Sequence, residues 1–403
     1  MLRLPTCQRS ADALVVAELA QRLAAQSRLL VVITAAAQDA QRLLDECRWF
    51  APGLRVGLLA DWETLPYDSL SPHQDLISDR LATLYGLQQR SIDLLLVPAT
   101  TALHRLTPPS FVAAHTFSFR RGQSLNEAAL REQLTIAGYE PVQQVVRPGE
   151  YCVRGGLIDL FPMGSSLPYR VDLLDDEIDT LRAFDPDTQR TVYPVDEIRL
   201  LPGREFPLDE PARTAFRGRW RERFEGDPSK AGPYRDIGNG IASPGIEYWL
   251  ALFFEQTATL FQHLPADALL LTQGDVEGAA RQFIQEARQR HAFLGHDSAR
   301  PLLRPDELFL DSEAFFIAAK SHGRYTLSAS APETPASLGG PLPPIAIERR
   351  ANEPLERLRA WHHSHDDRVL LVAESAGRRE TLQQLLAEHH LDWPAIETWE
   401  AFQ

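Results

Sequence analysis

Residues 146–184 read VRPGEYCVRGGLIDLFPMGSSLPYRVDLLDDEIDTLRAF, and this stretch decides the fold. Apolar and polar residues alternate through Leu157–Phe161 and again through Tyr169–Leu174. The turn-rich segment MGSSLP separates the two runs, and Asp175-Asp176-Glu177 precedes a third run, Ile178–Phe184. Period-2 patterning broken by turn residues predicts an antiparallel meander, with Gly155-Gly156 as a kink or bulge at its entrance. If the intervening turn centres near Gly164-Ser165, Arg170 stands opposite Asp159. Simple alternation then puts Arg154 on the other face of the sheet, and an extra residue at Gly155-Gly156 would reverse that.

Around the meander the pattern differs. Ser10–Ala25 has helical periodicity, with Ser10 or Asp12 as its cap. Leu29–Thr34 and Ile92–Val97 read as buried parallel strands, and Arg55–Leu59 as another strand. Ala36–Cys47 and Gln74–Gln89 read as helices, so residues 10–110 predict an α/β layer on a parallel sheet. Ser124-Leu125-Asn126-Glu127 reads as a capping box opening a helix that ends at Gly138. A helix against the meander makes an α+β unit, which closes near Pro202. Beyond it, residues 210–225 (PARTAFRGRWRERFEG) form a basic helix with Phe216, Trp220 and Phe224 four residues apart. That spacing favours a core-facing stripe with solvated arginines over a DNA-binding face. Ile246–Phe254 and Ala268–Thr272 are apolar runs, and Asp275–His291 is helical. Residues 327–345 are rich in Pro, Gly, Ser and Ala and read as a linker. Arg368–Ala373 then predicts a strand and Ser375–His389 a helix. One β-α unit closes no core, so an incomplete last domain is expected.

Bulk composition narrows the function. The 403 residues carry a net charge of −14, which argues against nucleic-acid binding through the overall field. Lys230 and Lys320 are the two lysines. Cys7, Cys47 and Cys152 have no disulfide or zinc spacing, which fits a reducing cytoplasm. No run of about 18 apolar residues suggests a membrane span.

The pattern GEYxxRGGxIDLFPMGSxLPYRxDxxDDEIDxLRxFD resembles the second domain of the bacterial transcription-repair coupling factor family (Mfd), a domain shared with UvrB. ADWETLPYDSLSPHQDLISDRLATLY (60–85), GIEYWLALFFEQ (245–256) and VLLVAESAGRRETLQQLLAEH (369–389) resemble further segments of that family. The resemblance implies a degenerate helicase-like α/β domain in two halves, 1–113 and 203–330. An α+β, UvrA-binding domain would be inserted at 114–202. A linker at 331–352 would lead to the start of a small α/β domain at 353–403. It implies a non-catalytic N-terminal adaptor region that recruits UvrA. It further implies that an ATP- and Mg²⁺-dependent DNA translocase, contacts with RNA polymerase and double-stranded DNA, and a C-terminal domain that masks the UvrA surface all belong to domains absent here.

UvrB carries a P-loop in the equivalent first domain. That loop needs G-x4-G-K-[ST], because glycines bring backbone N–H groups to the phosphates and the lysine neutralises them. This chain has no glycine before Gly53 and no lysine before Lys230, so no cofactor is expected in it. The family match points to Arg154 and Arg170 as the UvrA-binding arginines. Leu174 occupies a third, usually aromatic, position. Arginine suits such a surface because its planar fork matches carboxylates. The bland alternative is that both arginines are solvated, or are taken up by Asp159 and Asp172.

Other signals are weaker. Asp175-Asp176-Glu177 reads as a hairpin turn rather than a cation site. His362, His363 and His365 read as a polar lead-in to the next strand rather than zinc ligands. Cys152 lacks a neighbour that would make it reactive. Two rival functions stand beside the adaptor. One is a UvrB-like DNA-remodelling protein, which would need nucleotide chemistry and an aromatic hairpin after Pro66. The other is a self-packing autoinhibitory module, which would have no affinity for UvrA.

Overall fold

A computed structural model describes residues 2–3, 6–7, 10–327, 337–338, 343–348, 353–365, 367–373 and 375–403. Strand and helix alternate at the start: β1 (Leu2–Arg3), α1 (Ala11–Ala24), β2 (Leu30–Thr34), α2 (Ala37–Phe50), β3 (Val56–Leu58), α3 (Gln74–Gln88) and β4 (Leu94–Pro98). Every residue of β2 and β4 is buried. The continuous apolar runs are explained by helices on both faces. Val32 and Leu96 pack with Val16 and Leu43 on one side, while Val31 and Leu95 pack with Leu81 and Leu84 on the other. Ser10 holds the N-cap of α1 without a side-chain bond, so the expected cap is not made. Asp12 instead turns to Arg42 on α2, at 2.6 Å.

The middle of the chain builds a second sheet. Helix α4 (Glu127–Ile136) precedes β5 (Glu140–Pro141), β6 (Glu150–Arg154), β7 (Leu157–Leu160), β8 (Tyr169–Leu174), β9 (Glu177–Phe184) and β10 (Thr191–Val195). Their order is β10-β9-β8-β7-β6-β5, antiparallel except for the β5–β6 pair. Asn126, not Ser124, caps α4: its side chain accepts from the Ala129 N–H at 2.9 Å. The helix therefore starts two residues later than the capping-box pattern suggested, because Asn fills the cap as well as Ser does.

The chain then returns to the first sheet with α5 (Glu210–Arg223), β11 (Leu269–Gln273), α6 (Val276–Leu294) and β12 (Gly323–Leu327). The parallel sheet runs β1-β12-β11-β2-β4-β3, so it draws strands from both sides of the antiparallel one. On α5, Phe216 and Trp220 are fully buried, as the stripe predicts, and Phe224 at its end is partly so. Its arginines are engaged locally: Arg213 and Arg217 with Glu210, Arg223 with Glu307, and Arg219 with the Leu252 carbonyl.

The joint between the two sheets is polar and buried. Arg80 of α3 meets Glu205 at 3.0 Å with both side chains inaccessible, and Trp62 Nε1 donates to the same carboxylate at 3.1 Å. Gln74 donates to the Gly203 carbonyl, and Ser78 Oγ accepts from the Gly164 N–H. A Cβ at Gly203 would stand 2.6 Å from the Gly138 oxygen, so only glycine lets the returning strand pass this close.

Helix α7 (Ala376–Glu388) is capped by Ser375 as expected. Residues 368–373 do not form a strand: among the described residues they have no sheet partner, and a strand exists only by pairing. His362 and His363 lie on the helix Glu356–Ser364 rather than on a lead-in loop. The proposed linker at 331–352 falls largely outside the described residues. Among the described residues no helix is long and apolar enough to cross a membrane.

Candidate protein-binding interface

Two tight turns set the geometry of the antiparallel sheet. Arg154 pairs with Leu157 across Gly155-Gly156, and Gly155 takes φ +60°. The two glycines are a hairpin turn, not a kink or bulge within one strand. Glycine is suited here because a positive φ at the first turn position matches the strand twist. The correction matters for the face question. Counting through a turn does not preserve alternation, but pairing does, so Arg154 stands on the same face as Leu157 and Asp159. Asp175-Asp176 forms the next turn, with Asp175 at φ +54°.

Residues with opposite orientation sort cleanly. Tyr151, Ile158, Leu160, Val171, Ile178 and Leu181 enter the main core. The other face presents two cross-strand rows. One is Cys152, Asp159, Arg170, Arg182 and Pro194, each paired with the next across β6 to β10. The second is Arg154, Leu157, Asp172 and Thr180. Leu174 lies two positions further along β8 and is 69% exposed. One end of this face is roofed by the loop before β6: Val145 packs on Cys152, Phe161 and Phe184. Glu150 holds that loop by accepting from the backbone N–H groups of Val146 and Arg147.

The sequence-selected residues Arg154, Arg170 and Leu174 therefore share one face. Asp159, 2% exposed, links the two arginines. Arg170 donates to it in a two-point fork, Nε to Oδ1 at 2.7 Å and Nη2 to Oδ2 at 2.9 Å. The Arg154 Nη2 stands 3.7 Å from Oδ2, and its Nε donates to Cys152 Sγ. The guanidinium of Arg170 also lies over the Phe184 ring at 4.8 Å. The Asp159 bond pushes the Arg170 guanidinium still further up in pKa, so its charge is fixed. Burial pushes the Asp172 carboxyl up, but hydrogen bonds from Thr180 and Arg182 outweigh it, and the group lies below its ordinary value. Arg182 was not singled out from sequence. Its spacing of two from Phe184 and the match to an alternating run carried the signal.

The resulting surface has exposed arginine edges and an exposed leucine. A cavity of about 600 Å³ opens elsewhere, between residues 368–373, Trp393 and Phe402, and takes none of its lining from this face. The arginine face thus suits a flat acidic protein surface better than a small molecule. Among the described residues no cluster of His, Cys, Asp or Glu is arranged to hold a metal ion.

A nucleotide would be expected where a P-loop fold binds it, at the turn from a central parallel strand into a helix. In this sheet that turn is Ala35-Ala36, between β2 and α2. The residues do not fit phosphate. There is no glycine or lysine, the Ala35 N–H is taken by the Gln273 carbonyl at 3.0 Å, and Thr34 Oγ1 donates to the Ala36 carbonyl. The turn after β11 closes against it: a Cβ on Gly274 would lie 3.1 Å from that of Ala35. Nor do residues 60–73 form an aromatic hairpin; they run as a loop.

Comparison with known proteins agrees with this architecture. The UvrB interaction domain matches residues 117–206, and the D3 domain of MFD matches 361–403. The transcription-repair-coupling factor of Escherichia coli is 44% identical over 383 residues, 94% of this chain and 33% of that protein. That of Haemophilus influenzae is 38% identical over 400 residues, 98% of this chain and 34% of that protein. The Bacillus subtilis relative is 25% identical over 257 residues, 60% of this chain and 22% of that protein. The chain spans about a third of the length of these first two relatives, and with its UvrB-like and D3 segments it belongs to the transcription-repair-coupling factor family.

Proposed function

We propose that this chain is a non-catalytic adaptor that recruits UvrA during transcription-coupled nucleotide excision repair. The observation that carries the reading is the shared outer face of Arg154, Arg170 and Leu174, charged and apolar together on a sheet whose other face is core. The match of this segment to the UvrB interaction domain supports UvrA as the partner. The arginines would meet carboxylates, and Leu174 would supply apolar contact where relatives use a ring.

The chain takes no nucleotide of its own under this reading, because the turn after β2 has neither the glycines nor the lysine. ATP and Mg²⁺, translocation on double-stranded DNA, displacement of stalled RNA polymerase, and masking of the arginine face by a C-terminal domain belong to parts of the family protein outside these residues.

Binding of the purified chain to UvrA tests the proposal, with Arg154→Glu and Arg170→Glu beside the wild type and folding checked by circular dichroism. Reversal of a desolvated interface charge removes about 2–5 kcal/mol of binding. Wild-type binding that both variants lose supports the adaptor. Absence of binding by the folded wild type sinks it and leaves the face as one that packs within its own protein. ATP turnover by the chain would instead revive the UvrB-like remodeller.

A further inference from the structure

We infer that Asp159 is a positioning residue of this interface: it holds Arg170 and Arg154 in a fixed fork that presents their free edges outward to a carboxylate-bearing protein surface. The inference rests on the adaptor reading for the partner, but its geometry is independent of it.

Asp159 is placed to compete for the two arginines or to aim them. The arrangement favours aiming. Arg170 spends only its Nε edge on the buried carboxylate, at 2.7 and 2.9 Å. One flat side of its guanidinium rests on Phe184 at 4.8 Å. Its Nη1 makes no hydrogen bond to the described residues, and the side chain is 21% exposed. A guanidinium has two edges that each match a carboxylate, so the outer one stays available. Arg154 is held more lightly, through Cys152 Sγ at 3.3 Å and Asp159 at 3.7 Å, and is 58% exposed. Asp159 and Asp172 set two negative charges against the three positive ones of Arg154, Arg170 and Arg182, so these five residues together stay positive. The Asp159 carboxylate, 2% exposed, is reached from outside only past the arginines.

Holding these long side chains before the partner arrives removes rotamer freedom that would otherwise be lost on binding. For an immobilised rotamer-rich side chain that loss corresponds to about a tenfold change in affinity. A competitor would act in the opposite sense, since its removal would free the arginines.

The test is Asp159→Asn, which keeps the side chain's shape and one acceptor but loses the charge and the symmetric fork. Affinity for UvrA is measured for wild type, Asp159→Asn, Arg154→Ala/Arg170→Ala, and the triple variant. Positioning predicts about tenfold weaker binding for Asp159→Asn, and no further weakening when it is added to the arginine-free pair. Stronger binding by Asp159→Asn, or an equal loss in the arginine-free background, overturns the inference.

Arginine Nε–H NMR on the free wild-type chain supplies a readout that needs neither UvrA nor a folded variant. A sharp, slowly exchanging Arg170 Nε–H is expected, and a fast-averaging one overturns the inference. If wild type fails to bind UvrA while this Nε–H is protected, the adaptor reading falls and the fork stands.

Discussion

The two sheets of this chain use their side chains in opposite ways. In the parallel sheet, β2 and β4 are buried residue after residue, and apolar clusters cover both faces. In the antiparallel sheet one face enters the core and the other carries Arg154, Asp159, Arg170, Asp172, Arg182 and Leu174. A strand covered on both sides has no side chain left to meet a partner. It can act only through the loops at its carboxyl ends, and after β2 that loop is Ala35-Ala36, packed against its neighbour turn. Alternation leaves half of a strand's residues free. Under the proposed adaptor role, structural work falls to one sheet and recognition to the other, and the two kinds of substitution below separate them.

The largest effect is expected at the joint. Arg80→Ala would leave Glu205 buried with Trp62 as its remaining side-chain donor. Breaking a buried ion pair from one side costs about 3–5 kcal/mol. Urea unfolding should register that loss, with little change in the affinity of the molecules that remain folded. The reverse is expected of Arg154→Glu on the outer face. Its side chain is 58% exposed, so stability should change by less than about 1 kcal/mol, while UvrA affinity falls by about 2–5 kcal/mol. A stability loss at Arg154 equal to that at Arg80 would erase the division between the two sheets.

The next effect is pH-dependent and belongs to the same joint. Glu247 is buried beside Ser71, which donates to it at 2.9 Å, and burial pushes its carboxyl from 4.5 up to about 7. That value is the net result: a backbone hydrogen bond, the Ser71 bond and Arg204 oppose the rise, and Glu205 adds to it. Below pH 4.5 the group is protonated whether the chain is folded or not, and contributes nothing. Between 4.5 and 7 the unfolded chain ionises it while the folded chain keeps the proton, so stability falls as pH rises. Above 7 the full penalty of about 3 kcal/mol is present. Glu247→Gln keeps an acceptor for Ser71 and removes the charge. It should be more stable than wild type at pH 8 and close to it at pH 4.5, by urea midpoints at the two values. Equal midpoint differences at both would sink this.

Much of this was legible in the sequence. Strands buried on both faces announced themselves as unbroken apolar runs, and those half buried as alternation. The Phe216–Trp220 stripe was legible for the same reason. What sequence alone left open was register. Whether Arg154 joined Arg170 depended on Gly155-Gly156 acting as a two-residue turn rather than a bulge, and both are glycine features. Asn126 and Ser124 compete for one cap with similar chemistry, so the pattern alone did not choose. Residues 368–373 have strand character, but pairing is a property of two segments, and propensity describes only one. The Arg80–Glu205 bond joins residues 125 apart, and no local pattern marks it.

The smallest effect sharpens the contrast at its apolar end. Leu174 is exposed at the end of β8, across from Glu177, at a position where the family resemblance implies an aromatic ring. Nothing in the fold rests on it, because Leu173, its neighbour, supplies the inward contact. Leu174→Ala should therefore leave the melting temperature unchanged and weaken UvrA binding by about 1–2 kcal/mol, the value of the apolar side chain removed from water. Leu174→Phe adds ring area and stacking capacity worth about 0.5–1.5 kcal/mol where an aromatic partner meets it. A gain on Phe substitution would mean that the partner retains a surface shaped for a ring. A loss would mean that the partner surface has narrowed to fit leucine. Affinity unchanged by either substitution would remove Leu174 from the interface and leave the arginine fork to carry recognition alone.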